Sequence, residues 1–218
     1  MRRLLITFVG SISLLLLAPA ARAQEIPGDC MASFNVKPNK ASTNITWTLA
    51  TGQSAEISCG AAAVLRENLF IAGDKRLTTA DLSTSPEAAH RRALEAYAAL
   101  EAALAQLPGT EVSGQLFAGQ SFVIYKYLLA SCLLTLEAGG GTCWLAAIKF
   151  AFGTYKFLQV IAENRNAQLN KQQLIARLRE LKPNVTNVTL GPADPSGARA
   201  RWVQMQIGMC RAIQKDCL

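Results

Sequence analysis

Two long apolar stretches, residues 116–136 and 143–162, flank Ala138-Gly139-Gly140-Gly141-Thr142, with Cys132 and Cys143 near their inner ends. A glycine run permits the tight reversal that joins antiparallel helices. Two cysteines so placed meet when the arms fold back on each other. The pattern predicts an αα-hairpin stapled by Cys132–Cys143, and closing so short a loop stabilises by about 3 kcal/mol on the chain-entropy model. A hairpin this apolar must be covered, either by the rest of the chain or by lipid.

The arms have the length of a membrane span, about 20 residues. In the second arm, Lys149 and Lys156 would each cost about 3 kcal/mol near a bilayer centre, while each Leu, Ile, Phe or Val returns only about 0.3–0.6 kcal/mol. Its eight such residues do not outweigh the two lysines. The first arm has ten, opposed by Lys126 and by its Gln and Ser residues, and comes out near neutral. Stable spanning is therefore disfavoured. The hairpin reads as the centre of a mainly α core, with contact at a lipid surface as the alternative. Within the second arm, Thr142, Ala146, Lys149, Gly153, Lys156 and Glu163 form a narrow stripe of small and polar residues, expected to reach water along one edge.

The elements around the hairpin follow from period and punctuation. Ile45, Trp47 and Leu49 alternate with Thr46 and Thr48, the period of a half-buried strand. Thr51-Gly52-Gln53 turns the chain back along residues 55–59. Residues 61–70 suit a short helix or the start of a loop. Ser85-Pro86-Glu87 is a helix start, with a capping hydroxyl and proline in the first turn. That helix carries Leu94, Tyr97, Leu100, Leu104 and Leu107 on one face and stops at Pro108-Gly109. Leu174, Ile175, Leu178 and Leu181 mark another amphipathic helix, ended by Pro183. Residues 184–190 are Thr/Val-rich and read as an extended segment. Asp194-Pro195 opens a last helix whose inward residues are Trp202, Met205, Met209 and Ile213. The fold expected is mainly α, with about five helices around the apolar hairpin, a small N-terminal β-hairpin and three disulfides.

The N-terminus reads as a cleavable export signal. Arg2 and Arg3 precede an uncharged apolar run at residues 4–18, and Ala21-Arg22-Ala23 places the cut before Gln24. The domain organisation expected is thus a signal at 1–23 and one exported helical domain at 24–218, with a β-rich element at 24–60 and a helical core at 86–215. Cleavage removes three basic residues and lowers the net charge from +7 to +4. Basicity that mild, with no clustered stripe, speaks against nucleic acid as a partner. The Ala-rich signal suits a bacterial chain bound for the periplasm or the medium, where Asn-x-Thr at Asn44, Asn184 and Asn187 would carry no sugar.

Export gives the cysteines their meaning. Cys30, Cys59, Cys132, Cys143, Cys210 and Cys217 are an even set in an oxidising compartment and read as three disulfides. Without a C-x-x-C pair, and with a single histidine, they do not read as a metal site. Beyond Cys132–Cys143, sequential pairing is the expectation. On an unbroken helix, however, Cys210 and Cys217 would stand about 10 Å apart along the axis, too far for a bond. In that case Cys30 and Cys59 are their natural partners.

Candidate chemistry is sparse. His90 is the only histidine and hence the obvious general acid/base candidate, and its first-turn position also suits packing beside Leu94. Glu137 and Glu163 bracket the hairpin and could serve as carboxylates of raised pKa, or stand as helix ends in water. Ser121 lacks the second glycine of a nucleophile elbow. Trp47, Trp144 and Trp202 sit in apolar-periodic surroundings and suit a core better than a binding platform. Residues 71–85 form a long polar connection of the kind that carries recognition. No cofactor motif is present. The reading is a non-catalytic partner-binding protein, its partner a protein or a cell-envelope component. The alternatives are a lipid-surface protein using residues 116–162, with Lys149 and Lys156 in its polar stripe, and a hydrolase whose site assembles only in three dimensions.

Overall fold

The computed structural model describes residues 35–48, 54–66, 77–106, 114–136, 141–163 and 171–218. The expected export signal at residues 1–23, together with Cys30, Leu49, Leu107 and Glu137, lies outside them. Strands β1 (Asn44–Thr48) and β2 (Ser54–Ser58) pair antiparallel, with Ile45 opposite Ile57 and Trp47 opposite Ala55. The alternation of β1 is the expected one: Ile45 and Trp47 are buried, Asn44, Thr46 and Thr48 exposed. Strand β2 runs directly into helix α1 (Cys59–Val64), where Ser58 Oγ accepts from Ala61 N at 3.2 Å and caps it.

Five longer helices follow among the described residues: α2 (Pro86–Gln106), α3 (Gly114–Leu133), α4 (Gly141–Glu163), α5 (Lys171–Leu181) and, after the single turn α6 (Pro183–Thr186), α7 (Ala198–Asp216). Ser85 Oγ caps α2 by accepting from Ala88 N at 3.1 Å. The inward face of α2 buries Tyr97, Leu100 and Leu104, and it extends toward the helix start through Ala89 and Ala93. Those small residues let α2 lie closely along α3, its main neighbour.

The hairpin forms as the glycine run requires. Helices α3 and α4 are antiparallel, bonded through Cys132–Cys143 with Cα atoms 5.6 Å apart. Toward the opposite end, Phe117 and Phe157 meet edge to face with centroids 5.7 Å apart. Other parts of the chain pack on both arms, α2 on α3 and α5 with α6 on α4. Residues 116–133 are long and apolar enough to cross a membrane, yet 56% of that window is buried. The lysine that interrupts it, Lys126, lies 3.0 Å from the Asp81 carboxylate.

Two close approaches set the remaining helices. At Gly153 an added Cβ would stand 2.6 Å from Leu181 Cδ2, so the missing side chain is what lets α5 reach α4. The Arg177 guanidinium reaches into the same crossing and donates to the Gly153 carbonyl from Nε at 3.3 Å and Nη2 at 2.8 Å. Helix α7 buries Trp202, Met205, Met209 and Ile213 as expected. The β-hairpin is fixed to it by Trp47 Nε1, which donates to the Met205 carbonyl at 3.3 Å. At the end of α3, Arg201 donates to the Leu133 carbonyl from Nε at 2.9 Å and Nη2 at 2.6 Å while pairing with Asp194. This satisfies a carbonyl that helix termination leaves open.

Three expectations are corrected. Sequential disulfide pairing does not hold, because α7 runs unbroken to Asp216 and keeps Cys210 and Cys217 about two turns apart. Cys217 instead bonds Cys59, with Cα atoms 5.5 Å apart, and Cys210 is disulfide-bonded as well. Residues 184–190 do not open as an extended segment: Pro183 starts the turn α6, since its fixed φ and missing N–H suit a first helical position. Finally, the small and polar stripe of α4 is split. Lys149 and Lys156 are exposed, but Ala146 and Gly153 are buried because α5 and α6 pack on that flank.

Candidate functional site

The residues able to do acid–base or nucleophilic chemistry have structural tasks. His90 is half-buried on the first turn of α2, its Nε2 2.7 Å from the Val185 carbonyl. A carbonyl only accepts, so Nε2 carries the proton and donates, tying α2 to α6. Ser121 is buried in α3 and its Oγ has no hydrogen-bond partner, so no base activates it. The cysteines of the two described bridges offer no thiolate. Glu137 and the Glu163 side chain lie outside the described residues. Among the described residues, no group of three or more His, Cys, Asp or Glu could hold a metal ion.

Trp47, Trp144 and Trp202 are fully buried, so they form core and no platform. Tyr125 is buried as well. Its hydroxyl has no partner, and burial pushes it far above the ordinary tyrosine value.

The described part of the 71–85 connection, from Leu77 onward, is organised around a buried carboxylate. Asp81 Oδ2 accepts from Thr78 N at 2.8 Å and Thr78 Oγ1 at 2.7 Å, and pairs with Lys126. Burial acts to raise the Asp81 carboxyl. The Thr78 hydrogen bonds and the Lys126 ammonium outweigh it and hold the group below the usual carboxylate range. An open cavity of about 760 Å³ separates Thr79 and Leu82 from Pro195 and Arg199. A second groove of about 500 Å³ runs between Thr46 and Thr48 of β1 and Arg211 and Lys215 of α7.

Lys149 and Lys156 occupy a different setting. They line a groove of about 410 Å³ between α4 on one side and β2 with α1 on the other. Its floor is apolar: Leu145, Ile148 and Phe152 come from α4, and Ile57, Ala61 and Leu65 from the facing wall. The polar side chains of its lining are Lys149, Lys156, Glu56 and Ser58. The two lysines are seven positions apart, so they share one face of α4 with about 10 Å of rise between them. Both are exposed, and neither has an ion-pair partner among the described residues. Lys126, Arg177 and Arg201, by contrast, each face a carboxylate at 3.0 Å or less. The wall carrying Ala61 and Leu65 is tethered through Cys59 to Cys217 at the end of α7.

No family model, curated protein or solved structure matches this chain. Its site is therefore read from its own residues. Of the five candidates the sequence offers, the structure places Lys149 and Lys156 in one groove and His90 elsewhere, against α6. The facing wall was not legible beforehand. Its residues look like an ordinary β-turn-helix segment, and only packing against α4 gives them a common surface. A floor of six apolar side chains with cations at its rim can bind and orient a ligand. Glu56 and the two lysines are the ionisable side chains of its lining.

Proposed function

We propose that this is an exported, disulfide-stapled, non-catalytic binding protein of the periplasm or extracellular medium, and that the groove between α4 and β2–α1 is its binding surface. The groove carries the reading, because it pairs contiguous apolar surface with cations that lack a partner among the described residues. Exposed apolar surface rimmed by polar groups is what a ligand or partner covers. The disulfides fit an oxidising compartment, in agreement with the export pattern at residues 1–23. The engagement of His90 with Val185 and of the cysteines with one another supports binding over hydrolysis. Among the described residues, the large hydrophobics left exposed are Leu136 and Leu218. Of these, Leu136 alone belongs to the described part of residues 116–162, which favours a binding surface over a lipid-active hairpin.

Differential lysine acetylation tests this. In protein isolated from its native compartment, Lys149 and Lys156 should react more slowly than in the same protein stripped by unfolding and oxidative refolding. Lys182 and Lys215, exposed elsewhere, should react equally in both. Equal reactivity of Lys149 and Lys156 in the two preparations would overturn the groove as the binding surface.

A further inference from the structure

We infer that the groove takes a single-chain anionic amphiphile, specifically the carboxylate of a long-chain fatty acid. The inference rests on the binding reading above and names its ligand. It follows from where polar groups are present and where they are missing.

Away from the β2 edge, a peptide laid in this groove would bring backbone N–H and C=O groups over Leu65, Ile148 and Phe152, none of which has a polar side-chain atom to meet them. Each such group desolvated without a partner is costly. An acyl chain has no polar group along its length and loses nothing there. The volume of about 410 Å³ lies near the lower end of the range of about 300–1,000 Å³ for small-molecule sites. It suits one chain rather than a two-chain lipid.

The rim then selects the head. Lys149 and Lys156 supply two positive charges against the one negative charge of Glu56, so the field at the mouth favours an anion. With about 10 Å of rise between the lysines, a head group can sit by one of them while the chain lies along the floor toward the other. Ser58 Oγ already accepts from Ala61 N, which leaves its hydroxyl proton free to donate.

The test is calorimetric titration of the disulfide-intact protein with dodecanoate below its micelle concentration, beside dodecanol, butyrate and a lysophospholipid of equal chain length. Saturable one-to-one binding of dodecanoate is expected, with dodecanol and butyrate much weaker. Lys149→Gln/Lys156→Gln should weaken dodecanoate about two- to fivefold, since the head pairs with one of the lysines and an exposed ion pair contributes up to about fivefold. Lys149→Arg/Lys156→Arg should restore it, and Glu56→Gln should tighten it about two- to threefold. All three positions are exposed, so these variants fold. Dodecanol binding as well as dodecanoate, or an affinity indifferent to the lysines, would overturn the assignment. So would a preference for the lysophospholipid, or no saturable binding. The binding reading falls separately, only if Lys149 and Lys156 show no protection in the natively isolated protein.

Discussion

Cys217, one residue from the C-terminus, is bonded to Cys59 at the start of α1, 158 positions earlier. The bond anchors the last turn of α7 to the wall of the groove, and it closes most of the chain into one loop. Cys132–Cys143 spans only 11 positions. Loop-closure entropy grows slowly with length, so the long bridge should stabilise somewhat more than the short one. Cys59→Ala/Cys217→Ala is expected to lose about 2–5 kcal/mol in urea unfolding, and Cys132→Ala/Cys143→Ala about 3 kcal/mol or less. A long-bridge variant within 1 kcal/mol of wild type would show that this bond does not limit the unfolded chain.

Lys126 interrupts the most apolar helix of the molecule, and its partner explains how it is tolerated. Asp81 is 7% exposed and holds the ammonium at 3.0 Å, while Thr78 supplies two further hydrogen bonds. Hydrogen bonds to charged groups contribute about 1.5–3 kcal/mol each. Asp81→Asn should therefore lower stability at neutral pH by about 2–3 kcal/mol. The sign of its pH dependence is also fixed. The folded carboxyl titrates below the unfolded value of about 3.9, so its contribution is present above that pH and is lost as pH falls through the folded value. Unfolding followed from pH 6 down to 2 should show a decline in wild type that is shallower in Asp81→Asn. Parallel curves would mean that Asp81 is not a source of acid sensitivity.

How much was legible in the sequence divides along physical lines. The β-hairpin, the capped start of α2, the stapled αα-hairpin and the inward face of α7 all follow from local period, caps and turns, which act over a few residues. What was not legible depended on contacts between distant segments. Cys59 finds Cys217 because α7 carries it back to α1, and no local spacing reports that. Ala146 and Gly153 look like a water-facing stripe because they are small. The same smallness lets α5 and α6 approach, and only the packing distinguishes the two. The groove was half legible: its lysines stand out on an apolar helix, but the apolar wall facing them does not.

His90, the sole histidine, supplies a contrast between structural and catalytic roles. Its Nε2 donates to the Val185 carbonyl, 95 positions away. Replacing it with alanine removes a half-buried hydrogen bond and should cost about 1 kcal/mol of stability. His90→Gln, whose amide can still donate, should recover part of that loss. Dodecanoate affinity should be unchanged in both variants, because His90 does not line the groove. A variant that keeps full stability but loses ligand binding would reassign His90 to function.

Tyr97 joins α2 to α5 by donating its hydroxyl to the Leu178 carbonyl at 3.0 Å. Burial, and after it the neighbouring Glu101 carboxylate, push this hydroxyl up to about 12, with Arg179 acting in the opposite direction. An unfolded tyrosine titrates near about 10. The folded state therefore disfavours the phenolate. The resulting stabilisation is complete below pH of about 10 and is lost as pH rises from there through about 12. Tyr97→Phe removes both the hydrogen bond and the titration. At neutral pH it should cost about 1 kcal/mol, and its stability should fall less steeply than that of wild type over the alkaline window. Denaturant unfolding at a series of pH values, with phenolate absorbance recorded alongside, reads both effects. A Tyr97→Phe protein that declines as steeply as wild type above pH of about 10 would show that the alkaline sensitivity arises from other groups.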